Sequence, residues 1–424
     1  MSAPLRVVIV TDSFPPICGG SGWSTFELSR GLVARGHHVE VVKVDTSGRR
    51  GLFETSYEGL RVTEFCRPAS TIPVVRNVQK NERLWASLER YLRTRLQDSR
   101  ADLVHGQHAM TTVPSIRAAI AAGIPAVATV RDYWPVCYWS DLIYDPSQPA
   151  LCPACSVGMM TRCVKPRSGG VPMAAWPIIP YMRANLQTKR STLAKAGAVI
   201  APSHAIARDL RARAPELAHT PLYTIPNPVD MTPLDEAYRS TTRPMAEPYL
   251  VYAGKIALNK GVQYLIRAVK DAGITWPLVV AGDGPLRASL EAEARVAGVN
   301  LRVLGWLPRS ETVMWIRHAS LLAFPSYGPE SLSRVLMEAS ALGVPIAAMD
   351  TGGTRDIVHP GLTGLLSADA AAFAKDLARL FGDARLRESL GAQARVEAHA
   401  RFSAASVVER VEQVYRGLLL PRAA

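Results

Sequence analysis

The chain has 424 residues, of which 48% are hydrophobic and 20% are charged. This composition is typical of globular proteins and argues against disordered or fibrous structure, and the length predicts two or three domains. Lysine and arginine outnumber aspartate and glutamate by 49 to 36, a formal net charge of +13 that favours anionic partners. Because the basic residues are scattered and no nucleic-acid-binding motif occurs, we expect phosphate-rich small molecules or an anionic membrane surface, not nucleic acid.

Neither a membrane-spanning helix nor a secretory leader is predicted. The longest apolar stretches, such as Val171–Pro180, fall short of the roughly 18 residues that a membrane helix needs. The chain runs from Met1 almost directly into the strand-like Leu5–Val10, without a basic and hydrophobic leader. We therefore expect a cytoplasmic protein, either free or bound peripherally at the inner face of the membrane.

Short apolar segments rich in β-branched residues alternate with amphipathic helical segments along the chain. The ten predicted strands are Val7–Val10, Val39–Val44, Leu103–His105, Ala126–Val130, Ala198–Ala201, Tyr249–Ala253, Pro277–Ala281, Leu301–Leu304, Leu321–Phe324 and Pro345–Met349. Strands that are hydrophobic throughout and separated by helices are typical of parallel sheets covered on both faces. Ten strands exceed one doubly wound sheet, so we predict an α/β protein with two doubly wound, Rossmann-like domains facing a central cleft.

The proline-rich region 227–248 is the natural linker between the two domains. It separates a first domain at 1–226, with a cysteine-containing insertion at about 132–182, from a second domain at 249–400. The last segment, 401–424, has a helical pattern with valines on one face, which can pack back on the first domain.

A glycine-rich loop, Phe14–Gly22, follows the first predicted strand, and a helix is predicted to begin near Trp23. Gly19 and Gly20 leave room for the backbone to approach phosphate, so both are candidate donor-binding residues. A plain flexible loop is the alternative. The spacing does not match the G-x-G-x-x-G of dinucleotide-binding enzymes, which argues against an NAD enzyme.

Four cysteines lie close together in the sequence: Cys137, Cys152, Cys155 and Cys163. The Cys-Pro-Ala-Cys spacing of the middle pair, with two flanking thiols, suits a closed structural zinc site that would stabilise a loop-rich insertion. Unpaired thiols are the alternative, because disulfides are disfavoured in the cytosol. No catalytic cofactor is predicted.

The segment Trp176–Met182 combines aromatic and apolar residues. Cations flank it on both sides: Lys165, Arg167, Arg183, Lys189 and Arg190. Such a segment can touch an anionic membrane that carries a lipid-linked acceptor. Core packing explains the same residues without a membrane.

The second half carries two glutamates, eight residues apart, around a predicted helix start. Ser331 is the predicted N-cap of a helix that follows the strand Leu321–Phe324, so Glu330 precedes the helix and Glu338 lies about two turns inside it. Carboxylates accept hydrogen bonds from hydroxyl pairs, and free N–H groups at a helix start favour phosphate. This arrangement suits a sugar nucleotide, with two solvated glutamates as the alternative.

Basic and glycine-rich loops follow other strands of this half. Lys255 and Lys260 come after the first of these strands and can neutralise a departing diphosphate. Gly282, Asp283 and Gly284 follow the next strand, where missing side chains permit close backbone approach. Gly305–Pro308 and Asp350–Thr354 also follow strands. Solvated loops and ordinary turns are the alternatives, but ligand-binding residue types at five strand ends argue against coincidence.

These features resemble the nucleotide-sugar domain of retaining GT-B glycosyltransferases of family 4. The matching segments span nearly all of 249–366 and are Gly254-Lys255, Lys260-Gly261, Gly282–Pro285, Glu330 with Glu338 in an E-x7-E arrangement, Gly352-Gly353 and Gly361–Leu365. The resemblance implies that Lys255 and Lys260 bind the diphosphate. It also implies that Glu330 contacts the sugar, that Glu338 contacts the ribose, and that Lys255, Lys260 and Glu330 carry catalysis without a metal.

The sequence departs from the family pattern after the first strand and after the first glutamate. The usual arginine of the cation pair is Lys255, which cannot bind bidentately. The usual Gly-Phe-Gly is replaced by Ser331, Leu332 and Ser333, which we keep as donor-binding candidates with altered sugar contacts.

A third departure is Arg131, which stands after the strand Ala126–Val130 where family members usually have a histidine. A permanent cation cannot act as a base. As a catalytic candidate, Arg131 can bind an acidic donor sugar or an acceptor phosphate; pairing with Asp132 is the structural alternative. His105 and His108 are further cleft candidates, for which packing is an equally good explanation.

We therefore expect a glycosyltransferase that moves a sugar from a nucleotide-diphosphate donor to an unidentified acceptor, with retention of the anomeric configuration. The acceptor is a glycan, a lipid-linked molecule or a small molecule. The alternatives are a nucleotide-sugar epimerase of the same architecture and an inactive nucleotide-sugar-binding protein.

Overall fold

The computed structural model describes residues 3–145, 151–168 and 178–420. The chain divides into two compact units. Unit 1 comprises the described residues of Met1–Ser140, Pro180–Pro228 and Ala404–Ala424, and unit 2 those of Asp141–Ile179 and Val229–Ser403.

The described residues form fourteen strands and fifteen α-helices. The strands are β1 (Arg6–Thr11), β2 (His38–Asp45), β3 (Gly51–Tyr57), β4 (Leu60–Cys66), β5 (Leu103–Gly106), β6 (Ala126–Thr129), β7 (Ala198–Ala201), β8 (Leu222–Thr224), β9 (Leu250–Ala253), β10 (Leu278–Ala281), β11 (Leu301–Gly305), β12 (Leu321–Phe324), β13 (Ile346–Met349) and β14 (Leu365–Ser367). The helices are α1 (Gly20–Ala34), α2 (Pro73–Val78), α3 (Leu84–Asp98), α4 (Ala109–Ala122), α5 (Val157–Val164), α6 (Ile178–Leu193), α7 (His204–Arg213), α8 (Thr232–Arg239), α9 (Val262–Asp271), α10 (Arg287–Ala297), α11 (Arg309–Arg317), α12 (Arg334–Ala341), α13 (Ala370–Gly382), α14 (Ala384–Phe402) and α15 (Ala404–Leu419).

Each unit contains one sheet. The order is β3-β4-β2-β1-β5-β6-β7-β8 in unit 1 and β11-β10-β9-β12-β13-β14 in unit 2. All neighbours are parallel except β3 and β4. All ten predicted strands are present, and their ends lie within one residue of those expected. The predicted α/β class with two doubly wound sheets is confirmed.

Four strands were not predicted: β3, β4, β8 and β14. β3 is exposed at most of its positions, since it forms the sheet edge and pairs only with β4. Its mixture of polar and apolar residues therefore lacks the continuous apolar run of a buried strand. β8 and β14 have three residues each and carry too little pattern to stand out.

Both faces of the sheet in unit 2 are buried, which explains its uniformly apolar strands. Val251, Val279 and Leu322 pack in one core cluster, and Tyr252 and Val280 pack in another. Successive side chains of a strand point to opposite faces, so both clusters draw on the same strands. The loops at the carboxyl ends of these strands carry the candidate site residues.

Helix α15 belongs to unit 1, although it follows directly after helices of unit 2. Val407, Val411 and Tyr415 lie in the same buried cluster as Val7 and Ile9 of β1. The valine face that is visible in the sequence is thus buried against the first sheet.

The structure differs from the sequence prediction in the linker. Residues 232–239 form α8, which has Pro233 in its first turn and buries Leu234 and Ala237 in the core of unit 2. Proline fits the start of a helix, because its missing N–H is not needed there.

The structure also differs from the prediction in the cysteine-containing insertion. Residues 141–179, as far as described, group with unit 2 and not with the N-terminal domain. Within this segment Arg167 donates to the carbonyl oxygens of Ile143 and Tyr144, at 2.8 and 3.0 Å. These hydrogen bonds join the described residues 141–145 of the segment to its residues 151–168.

Candidate active site

A lysine and a serine meet one carboxylate oxygen at the carboxyl ends of β9 and β12. Lys260 Nζ lies 2.6 Å from Glu330 Oε1, and Ser326 Oγ lies 2.6 Å from the same oxygen. The Glu330 side chain is 12% exposed and that of Lys260 is 31% exposed. The pair is therefore held by mutual contact and still reachable from solvent. Sequence reasoning missed Ser326, although it directly follows Pro325 at the end of β12.

Backbone contacts among three loops position Glu330. Gly328 N donates to Asn259 O at 2.9 Å, and Gly353 N donates to Glu330 O at 2.7 Å. Gly352 has a φ of +52°, and a Cβ there would lie 2.1 Å from Glu330 O. Only glycine fits at this point, so the loop after β12 is held between the loops after β9 and β13.

The close approach predicted at Gly282 and Gly284 is an approach to protein backbone. A Cβ at Gly282 would lie 1.9 Å from Gly254 O, and one at Gly284 would lie 2.3 Å from Ile256 O. Asp283 Oδ1 accepts from Gly284 N at 2.7 Å. These residues hold the loop after β10 against the loop after β9.

Helix α12 begins at Arg334, two residues later than predicted. Its N-cap is Ser333 and not Ser331, and the Ser333 hydroxyl accepts from the third N–H of the helix at 3.4 Å. Ser331 is half-buried and Leu332 is buried. Glu338 therefore lies about one turn inside the helix, and the stretch between the two glutamates is only partly helical.

Two arginines hold the carboxylate of Glu338. Arg334 Nε lies 2.9 Å from Glu338 Oε1, and Arg309 Nε lies 3.1 Å from the same oxygen. The i, i+4 spacing of Arg334 and Glu338 is the one signal of this contact that the sequence contains. Arg309 starts another helix, α11, so only the fold brings it to this carboxylate.

Lys255, the other predicted diphosphate ligand, lies in the loop after β9. Its side chain is exposed, and its carbonyl oxygen accepts from the Tyr252 hydroxyl at 2.8 Å. Within the described residues, no hydrogen bond or ion pair holds the Lys255 ammonium group. It is thus left to solvent, while Lys260 is bound to Glu330.

The glycine-rich loop of unit 1 leads into α1 at Gly20, three residues earlier than predicted, with Gly19 as the N-cap. A Cβ at Gly19 would meet nothing within 4 Å, whereas one at Gly22 would lie 2.6 Å from Cys18 Cβ. Close packing therefore explains Gly22. The open surroundings of Gly19 match those expected of a backbone that a ligand can approach.

Arg131 is buried at the carboxyl end of β6 and donates to three uncharged side chains. Its Nε donates to Asn227 Oδ1 at 3.0 Å, and its Nη1 donates to Gln107 Oε1 and, at 3.5 Å, to Thr25 Oγ1. The guanidinium group therefore ties β6 to α1 and to the residue after β5.

Both histidines near Arg131 are buried and neutral. His105 Nδ1 lies 2.6 Å from the Tyr415 hydroxyl, and its Nε2 lies 2.7 Å from a threonine of β6. His108 Nδ1 lies 3.2 Å from Asp12 Oδ1. Burial, reinforced by the charge of Arg131, lowers the pKa of His108 to about 3 and the pKa of His105 well below its ordinary value. For His105 these contacts favour packing, one of the two explanations offered by the sequence, over a role in ligand binding.

The half-buried Asp132 and the buried Lys189 are further charged residues of unit 1. Burial raises the pKa of Asp132 to about 6 and lowers the pKa of Lys189 to about 8, and attraction between the two opposes both changes. Trp134 N donates to Asp132 Oδ1 at 2.8 Å. Lys189, expected to flank a membrane-contact segment, is only 4% exposed and lies over the Tyr138 ring.

Two family models together match most of the chain. The family model described as Glycosyltransferase Family 4 matches residues 18–232, and the one described as Glycosyl transferases group 1 matches residues 235–397. The chain belongs to glycosyltransferase family 4.

Individual relatives of this chain include two curated enzymes. It is 32% identical over 229 residues to the D-inositol 3-phosphate glycosyltransferase of Xylanimonas cellulosilytica, a match that covers 48% of the chain and 54% of the relative. It is 26% identical over 369 residues to the GDP-mannose-dependent alpha-mannosyltransferase of Mycolicibacterium smegmatis, covering 85% of the chain and 84% of the relative. The chain thus spans about half the length of the first relative and most of the second.

The chain also resembles the solved structure of Anabaena HepE in complex with UDP. The TM-score is 0.68 at 16% identity, and the match covers 97% of this chain and 100% of that chain. At this identity the likeness shows the fold, and the predicted GT-B class is confirmed.

The structural zinc site predicted at the four cysteines stays a prediction, and the described residues bring no three or more His, Cys, Asp or Glu side chains together as metal ligands. Cys137 and Cys163 are buried, whereas Cys152 and Cys155 are half-buried. Cys163 lies in α5, and the half-buried pair precedes that helix.

Residues 176 and 177 of the predicted membrane-contact segment lie outside the described residues. Ile179 and Met182, at the start of α6, are buried, which favours the packing interpretation for this part. Across the described ranges, no helix combines the length and the apolar character needed to cross a bilayer.

Proposed function

We propose that the glycosyltransferase uses a nucleotide-diphosphate sugar as donor and binds it in unit 2. The contact of Lys260 with Glu330 at the ends of two neighbouring strands carries this proposal. A carboxylate beside an ammonium group offers an acceptor for sugar hydroxyls and a cation for the diphosphate. The relative named for GDP-mannose and the solved HepE complex with UDP support this class of donor.

Each candidate residue then has a chemical task. The ammonium group of Lys260 has three N–H donors and gives one of them to Glu330, so others remain for the diphosphate. The exposed Lys255 adds a second cation. Glu330 accepts from the sugar hydroxyls, and Glu338 accepts from the ribose. As the sugar leaves, negative charge grows on the diphosphate, and the two lysines stabilise it.

Retention of the anomeric configuration and catalysis without a metal are part of the proposal and follow from the family resemblance. The proposed acceptor is a glycan, a lipid-linked molecule or a small molecule, and the proposed location is the cytoplasm, free or in peripheral contact with the inner face of the membrane. Family membership favours transfer over the epimerase and the inactive binding protein.

Donor binding is tested by thermal shift with a panel of UDP-, GDP-, ADP- and dTDP-sugars. At least one should raise Tm, because a ligand that binds only the native form stabilises it. Glu330→Gln should then weaken the Kd for that donor by about tenfold, the cost of losing charge-assisted hydrogen bonds. Glu388→Gln, on the exposed face of α14, is the matched control and should keep the affinity. If no nucleotide sugar of the panel raises Tm, or if Glu330→Gln leaves the Kd unchanged, the proposed donor site is refuted.

The course of the reaction has a separate test. Slow hydrolysis of the donor, with water in place of the acceptor, should release the sugar first in the anomeric form of the donor, as followed by NMR. The rate should be the same with and without a chelator. Release of the opposite anomer, or loss of activity with the chelator, would contradict retention or metal independence respectively.

A further inference from the structure

Among the residues that the structure describes, two cations bind the carboxylate of Glu338, both through the oxygen Oε1. Arg334 Nε lies 2.9 Å from Oε1, and Arg309 places Nε and Nη2 each 3.1 Å from Oε1. The three side chains are largely buried, with 7% of Glu338, 10% of Arg334 and 22% of Arg309 exposed. Among the described residues, none donates a hydrogen bond to Glu338 Oε2.

The two arginines come from different helices. Arg334 is the first residue of α12 and reaches Glu338 across one helical turn, whereas Arg309 is the first residue of α11. One i, i+4 partner leaves a carboxylate able to turn about its last bond, since that torsion is soft. A second guanidinium group from another direction restrains it. Two cations also offset the cost of burying the negative charge.

We propose that Arg309 and Arg334 are positioning residues for the donor. By holding Oε1 of Glu338 they keep Oε2 available as the acceptor for the ribose hydroxyls. This inference rests on the proposed function, because it assumes that a nucleotide binds in unit 2. It adds that recognition of ribose depends on two residues that do not themselves touch the nucleotide.

A purely structural role is the competing explanation, in which the arginines only join α11 to α12. The two roles differ in what a substitution changes. Loss of a structural contact lowers stability and weakens every nucleotide alike. Loss of a positioning contact weakens the nucleotide that has ribose hydroxyls and leaves its dideoxy analogue nearly unaffected, because only the former uses Oε2.

The experiment measures Kd by calorimetry for UDP, GDP and ADP, each beside its 2′,3′-dideoxy form, and for dTDP beside its 3′-deoxy form. The unaltered protein should prefer the ribose form of its nucleotide by about tenfold or more, the range of hydrogen bonds to a charged group. Arg309→Gln and Arg334→Gln should each reduce this preference to about threefold, by weakening the ribose form only. Arg334→Lys, which keeps the charge, should recover part of it.

Arg267→Gln is the matched control. Arg267 forms an exposed i, i+4 pair with Asp271 on α9, at 2.9 Å, so its loss should leave the preference unchanged. A ribose preference that survives in both arginine variants, or an equal loss of affinity for both nucleotide forms, would overturn the inference alone. If none of UDP, GDP, ADP and dTDP binds the unaltered protein, the donor proposal and the inference both fail.

Discussion

Lys260 Nζ and Glu330 Oε1 lie 2.6 Å apart, although 70 residues separate them in the chain. They meet because β9 and β12 are neighbours in the sheet of unit 2, so the loops after both strands share one edge. The contact joins the residue proposed to bind the diphosphate with the residue proposed to bind the sugar. A change in either should therefore affect both ends of the donor.

Lys260→Met should lower kcat for sugar transfer, or for donor hydrolysis, by about 10²–10³, because a cation aimed at developing charge contributes most in the transition state. Steady-state kinetics with the donor found by thermal shift would measure the change. Lys270→Met, on the exposed end of α9, removes one charge at a site without a proposed role and should leave kcat unchanged. Equal rates for the two variants would remove Lys260 from the mechanism.

Gly261→Ala should destabilise the protein by about 3 kcal/mol or more, because a Cβ at this position would lie 1.7 Å from Pro325 O and φ is +71°. Gly273→Ala is the matched control: φ is +64°, but a Cβ would meet nothing within 4 Å. Only the conformational strain of about 1 kcal/mol should then apply. Urea unfolding of both variants measures the difference. Similar losses of stability in the two variants would mean that the loop after β9 can move away from Pro325 O at little energetic cost.

Asp12→Asn should change the pH dependence of stability. Burial raises the pKa of Asp12 from 3.8 to about 6, so between these values the folded chain binds more protons than the unfolded chain. Stability from this group is therefore greatest below about pH 4 and falls as the pH rises to about 6. The neutral asparagine avoids that loss.

The free energy of unfolding of Asp12→Asn is compared with that of the unaltered protein at each pH. The difference, in favour of the variant, should be about 2 kcal/mol larger at pH 7 than at pH 4. His108 does not interfere, since its pKa of about 3 keeps it neutral across this range. Urea unfolding at the two pH values gives the comparison. An identical difference at both would show that the carboxyl of Asp12 titrates normally.

Arg131→Lys should destabilise unit 1 by about 2 kcal/mol, because one ammonium group cannot replace the guanidinium contacts to Asn227, Gln107 and Thr25. Arg208→Lys, on the exposed surface of α7, should change stability by less than about 0.5 kcal/mol. Thermal unfolding compares the two. A lysine that is tolerated equally at both positions would mean that these buried contacts contribute little.

The helix boundaries show where sequence reasoning lost precision. The sequence pattern predicts Ser331 as the N-cap of α12. In the structure the cap is Ser333, and the carbonyl of Glu330 accepts from Gly353 N in the loop after β13. No local pattern contains that contact between loops.

The sequence by itself determined the two parallel sheets, the loops at their carboxyl ends and the family, because buried strands must be apolar throughout and turns demand glycine at particular places. Only the tertiary structure decided which side chains share an atom. Arg309 and Glu338, like Ser326 and Lys260, meet because strand order and helix packing bring distant segments together, and spacing along a chain carries no such distances.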